Sequence, residues 1–154
     1  MTDPAPPSDR TDRVQIDAAL DDLYNELAGR EGDGPRDLES APFTTKKDVF
    51  MYAACVGQRL GQRQPLPDGK KVTIRRDVLK GDDVALLQAL ALAETGDVRV
   101  LERFENVLDV VEEFAQAGIH ELYQTLVGQG GKPLWNLADL VQSAAGASGH
   151  GEPS

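Results

Sequence analysis

The sequence predicts an all-α fold, a compact bundle of about five helices with little or no sheet and disordered termini. Three observations lead there. Apolar residues recur at spacings of three and four through most of the chain. Two segments are apolar over most of a helical circumference, so other helices must wrap around them. The one stretch with strand-like alternation, KVTIR at 71–75, has no visible partner, and a lone strand is not stable. At 154 residues the chain fits one domain. A domain near this size buries roughly 70% of its unfolded surface, enough for a core without disulfides or metal.

Residues 1–11 read as a disordered lead, rich in proline and acid with nothing to bury. A single helical domain is expected over 12–144. Asp12 is a plausible N-cap for a first helix bearing Ile16, Leu20, Leu23 and Leu27 on one face, ended by Gly29. Residues 29–42 hold three glycines, two prolines and many charges, which predicts a flexible linker. The second helix opens at Thr44-Thr45, where Thr45-x-x-Asp48 has the form of a capping box. Val49, Ala53, Val56 and Leu60 share a face, Phe50, Ala54 and Gly57 lie beside them, and Met51, Tyr52 and Cys55 widen the arc. Such a helix belongs in a core, and Ala53, Ala54 and Gly57 would let another helix approach closely.

Residues 61–69 form a loop with two prolines, and Arg76–Lys80 reads as a short helical turn ended by Gly81. Asp82 or Asp83 caps a third helix, apolar nearly all round and so expected to be buried. Gly96 breaks it and Asp97 caps the next helix. From Leu101 the apolar positions Phe104, Leu108, Val111, Ala115, Ile119, Leu122 and Leu126 trace a long amphipathic helix, bent near Asn106 or Gly118. Gly128, Gly130, Gly131 and Pro133 stop it. A last helix is expected over 134–144, and the Gly/Ser-rich residues 145–154 read as a disordered tail.

Charge is distributed unevenly. Residues 44–80 carry nine lysines and arginines against three aspartates, net +6, whereas residues 1–43 carry net −7 and residues 81–154 net −9. An acidic protein with a basic middle is not a general coat for nucleic acid or anionic membrane. The basic residues Lys46, Lys47, Arg59, Arg63, Lys70, Lys71, Arg75 and Arg76 are the candidate contact set. They can meet phosphates, aided by a helix N-terminus. They can meet an acidic protein partner. They can also pair with the chain's own acidic faces. Exposed aromatics for base stacking are not interleaved among them.

Signals for catalysis are weak. Cys55 excludes an intramolecular disulfide framework and fits a reducing compartment. It sits in the apolar run MYAACVG, where cysteine behaves as a small hydrophobe. His120 has Glu113 and Glu121 near it and Gln116 on its helical face, and His150 lies in the tail, which together fall short of the clustered His, Cys and carboxylates of a metal site. Adjacent acid pairs such as Glu112 and Glu113 do not face each other on a helix. GQGGK at 128–132 follows a helix rather than a strand, unlike a P-loop. The segment LWNLADLVQSA has no basic residue with which to read a DNA groove. MTDPAPPSDRTD, Pro-rich and acidic with no apolar stretch, does not read as a signal peptide, and no run of eighteen apolar residues occurs in the sequence. The expectation is therefore a cytoplasmic protein with no catalytic, cofactor-binding or metal-binding residues.

Three blocks carry a family resemblance. They are TTKKDVFMYAACVGQRLGQRQPL at 44–66, GDDVALLQALALAETGDVRVL at 81–101 and VVEEFAQAGIHELYQTL at 110–126. Together they resemble the small bacterial DNA phosphorothioation-associated protein 4 family, encoded beside the dnd genes for DNA sulfur modification. The resemblance implies a setting rather than a reaction. Phosphorothioation replaces a non-bridging phosphate oxygen of DNA by sulfur and marks self against phage DNA. An accessory protein there is expected to be non-enzymatic, either an adaptor docking a protein of the modification or restriction system or a DNA-contacting factor using the basic segment. The resemblance carries over no functional residue, cofactor or oligomeric state.

Overall fold

The computed structural model describes residues 13–29 and 37–149, with side chains described as far as Ala144. The expected lead at 1–11, Asp12, residues 30–36 of the linker and residues 150–154 of the tail lie outside the described residues. The fold is mostly helical, as the apolar spacing predicts. Its elements in chain order are β1 (Arg13–Asp17), α1 (Asp21–Ala28), α2 (Lys46–Leu60), β2 (Lys71–Arg75), α3 (Gly81–Thr95), α4 (Phe104–Tyr123) and α5 (Pro133–Gly149). Short 3-10 turns at Ala18–Leu20, Arg76–Val78 and Val98–Glu102 join some of them, and a π turn at Gln124–Gly128 extends α4.

The core is built on the crossing of α2 and α4. Gly57 and Gly118 bring the two backbones together. A Cβ at Gly57 would strike the Phe114 carbonyl, and one at Gly118 would strike the Ala53 carbonyl and lie 2.6 Å from the Gly57 nitrogen. Small residues in α2 thus admit a neighbouring helix, as their pattern suggests. Phe50, Ala53, Ala54, Leu108, Val111, Phe114, Ala115 and Ile119 fill this seam, and Leu27, Leu87, Leu122 and Leu126 close the same cluster. At the start of α2 the Thr45 hydroxyl accepts from the Asp48 N–H at 3.3 Å and donates to the Asp48 carboxylate at 3.1 Å. At its end Gly61 takes a left-handed conformation and donates to the carbonyls of Gln58 and Gly57.

Several boundaries differ from those expected. The first helix begins at Asp21, not near Asp12, because residues 13–17 are a strand. Val14 and Ile16 point into the core by strand alternation. Ile16 happens to lie four residues before Leu20, which mimics a helical face. KVTIR therefore does have a partner: β1 pairs antiparallel with β2, Val14 opposite Ile74 and Ile16 opposite Val72. Lys80 rather than Asp82 or Asp83 is the N-cap residue of α3, and Asp83 accepts the Lys80 N–H at 2.8 Å from the third helical position. The long helix starts at Phe104, after the turn capped by Asp97. The last helix continues to Gly149, into the stretch expected to be tail.

The expectation that α3 is buried all round is also corrected. Leu87, Leu90 and Ala91 face the core, but Ala85, Leu86, Ala89 and Ala93 form an exposed stripe, with Leu86 40% exposed. The exposed stripe is largely alanine, which favours helix but has little area to bury.

A candidate docking groove beside the basic segment

The basic segment is wired mostly into the protein itself. Lys46, in the first turn of α2, reaches Asp21 of α1 at 2.7 Å. Lys47 reaches Asp83 of α3 at 2.9 Å and Asp48 at 3.3 Å. The hydrogen bond from Lys47 holds the Asp83 carboxyl below the usual carboxylate range, helped by the Lys80 N–H. The same bond raises Lys47 above the usual lysine range. Arg63 sits between Glu94 at the end of α3 (3.0 Å) and Glu113 of α4 (3.1 Å) and leans over the Phe114 ring. Lys71 turns back on the carbonyls of Pro67 and Gly69, at 2.6 and 3.0 Å. Arg75 meets Asp77 at 2.7 Å in an exposed local pair. Arg76 lies over the Phe104 ring, 4.3 Å from its centroid.

Arg59, Lys70 and Lys80 make no ion pair among the described residues. Arg59 and Arg63 are one turn apart in sequence, yet Gly61 ends the helix between them, so they do not form a common face. Arg59 instead borders a small cavity with Glu121, Thr125 and Leu140.

The structure does bring Lys46, Lys47 and Arg75 together. With Lys80 they line an open groove of about 660 Å³ between the start of α2, β2 and the Arg76–Val78 turn. Thr44, Thr45 and Thr73 supply hydroxyls, Ile74 and Val78 apolar surface, and Asp48 the one carboxylate among the described lining residues. Sequence reasoning placed the cations but missed the threonines, Val78 and Lys80 as parts of one site. Only the pairing of β2 with β1 sets them around a common space.

Alongside the groove β2 has an edge with no strand beside it among the described residues. The Ala18 N–H donates to the Lys70 carbonyl, and the Gln15 N–H points the other way, to the buried Glu112 carboxylate of α4 at 2.8 Å. Even-numbered residues of β1 therefore bond to β2, while Lys71 and Thr73 turn their backbone N–H and C=O groups outward and Arg75 its N–H, its carbonyl opening the Arg76–Val78 turn. The other edge of β1 is covered by α4, where Gln116 also donates to Asp17 at 3.1 Å.

Other candidate chemistry is not assembled. Burial pushes the Cys55 thiol up, the opposite of an activated nucleophile. His120 lies exposed on α4, and His150 lies outside the described residues. Among the described residues no group of three or more His, Cys, Asp or Glu could hold a metal ion. No helix among them is long and apolar enough to cross a membrane.

The chain matches no curated protein and no solved structure. A family model does match, over residues 13–150, which takes in all three blocks of the resemblance and every element of the fold from β1 to α5. The chain therefore belongs to the family of DNA sulphur modification system-associated protein 4.

Proposed function

We propose that this chain is a non-enzymatic, cytoplasmic accessory protein of a DNA sulphur modification system with a role in defence, and that it acts as an adaptor docking a protein of that system. Family membership supports the setting. The observation that carries the adaptor reading is the pairing of the basic segment. Lys46, Lys47 and Arg63 each hold a carboxylate from another element. Turning these cations toward phosphates would leave Asp21, Asp83, Glu94 and Glu113 beside a polyanion, and like charges that close repel. The same pairs serve to join α1, α3 and α4 to α2 and its loop.

A DNA-contacting role is the second reading, favoured by the cations lining the groove at the start of α2. The two readings separate in one pair of experiments. The tagged protein, co-expressed with the proteins of the modification system, is expected to retain one of them stoichiometrically. Duplex DNA at low salt is expected to bind weakly, without a steep salt slope. A slope of log K on log salt near −0.9 for each of several phosphates, with no protein retained, would overturn the adaptor reading.

A further inference from the structure

The geometry points to β2 as a docking edge: an extended acidic segment of a partner protein adds to it as a third strand, lying in the groove lined by Lys46, Lys47, Arg75 and Lys80. The inference rests on the adaptor reading and says where the partner sits.

Thr73 presents its N–H and C=O outward and Arg75 its N–H, a template for strand addition, while the Arg75 carbonyl opens the Arg76–Val78 turn. The groove gives that strand room and a character to match. Among the described residues four cations and one carboxylate line it; Asp21 and Asp83, which hold Lys46 and Lys47, are not among the lining residues, while the lining Asp48 also reaches Lys47 at 3.3 Å. Lys80 has no ion pair among the described residues.

Alternation along β2 refines the partner further. Lys71, Thr73 and Arg75 share one face of the ribbon, and Val72 and Ile74 share the other. Lys46 and Lys47 keep their carboxylates Asp21 and Asp83, so an added strand would carry acids toward Arg75 and Lys80 and apolar residues beside Ile74 and Val78. A second copy of this chain fits poorly. Antiparallel pairing of β2 with itself about Thr73 would set Lys71 opposite Arg75, and like charges directly opposite are destabilising.

The test uses the intact protein and a synthetic peptide alternating glutamate and valine, with a lysine–valine peptide as control. Amide exchange is followed by NMR. The glutamate–valine peptide should slow exchange at Thr73 and Arg75 by about tenfold or more, and the control should not. Thr73→Pro removes an outward donor without touching the β1 ladder and should abolish the protection. Because proline can disturb a strand, Lys80→Glu is the second variant, and it should weaken peptide binding while leaving the unfolding temperature unchanged. Protection that is absent, or equal with the lysine peptide, would overturn the inference. Displacement of the peptide by duplex DNA, with the same amides responding, would assign the groove to phosphates instead. Thr73→Pro that still retains the modification-system protein would sink the strand edge and leave the adaptor reading standing. Wild-type protein that retains none would sink the adaptor reading itself.

Discussion

Helices α2 and α3 look alike in sequence and end differently. Both are apolar around most of their circumference, and both are expected to be central. α2 is central because two glycines, Gly57 on it and Gly118 opposite, allow backbone contact with α4, and large side chains such as Phe50 then fill the seam. α3 packs through Leu87, Leu90 and Ala91 and leaves Ala85, Leu86, Ala89 and Ala93 outside. Apolar content alone does not decide depth. What decides it is whether the residues are large enough to reward burial, and whether a neighbour can come close.

The largest test of this contrast falls on the inner side of α3. Leu87→Ala empties a fully buried site and should cost about 2–5 kcal/mol in denaturant unfolding. Next comes the seam itself. Gly57→Ala inserts a methyl where a backbone carbonyl stands, and should cost about 1–3 kcal/mol, with α2 and α4 forced apart. A cost under that range would mean the helices cross less tightly than the contact of Gly57 with the Phe114 backbone implies. Leu86→Ser, on the outer side of α3, should change stability by only about 0.5 kcal/mol. A loss as large as that of Leu87→Ala would erase the difference between the two faces.

The smallest effect is electrostatic. Asp83, lowered by its bond from Lys47, contributes stability that is present above the ordinary carboxylate range. That contribution fades as pH falls through the lowered Asp83 value. Asp83→Asn should therefore be less stable than wild type at neutral pH, and the gap should close in acid. A gap that is constant with pH would assign the loss to the Lys80 N–H cap rather than to charge.

Local pattern carried much of the fold into view. The faces of α2, α4 and the Gly61 and Gly96 stops follow from spacing and from backbone conformations that glycine adopts freely. The ribbon was hidden for a physical reason. Asp17 and Lys71 are opposite each other in space but far apart in the chain, and β1 alone is five residues whose Ile16 also suits a helix. The site was half legible for the same reason. Runs such as Lys46-Lys47 and Arg75-Arg76 stand out by charge. That Lys46 meets Asp21, that Lys47 meets Asp83 and that Thr73 borders the same groove are tertiary facts.

We propose that this member of the DNA sulphur modification system-associated protein 4 family holds a protein rather than DNA. The most direct measurement is the mass of the complex formed on co-expression with the modification-system proteins, taken before and after nuclease treatment. A stoichiometric complex whose mass does not change is expected. A complex that falls apart when DNA is digested, or a chain that stays alone throughout, would contradict it.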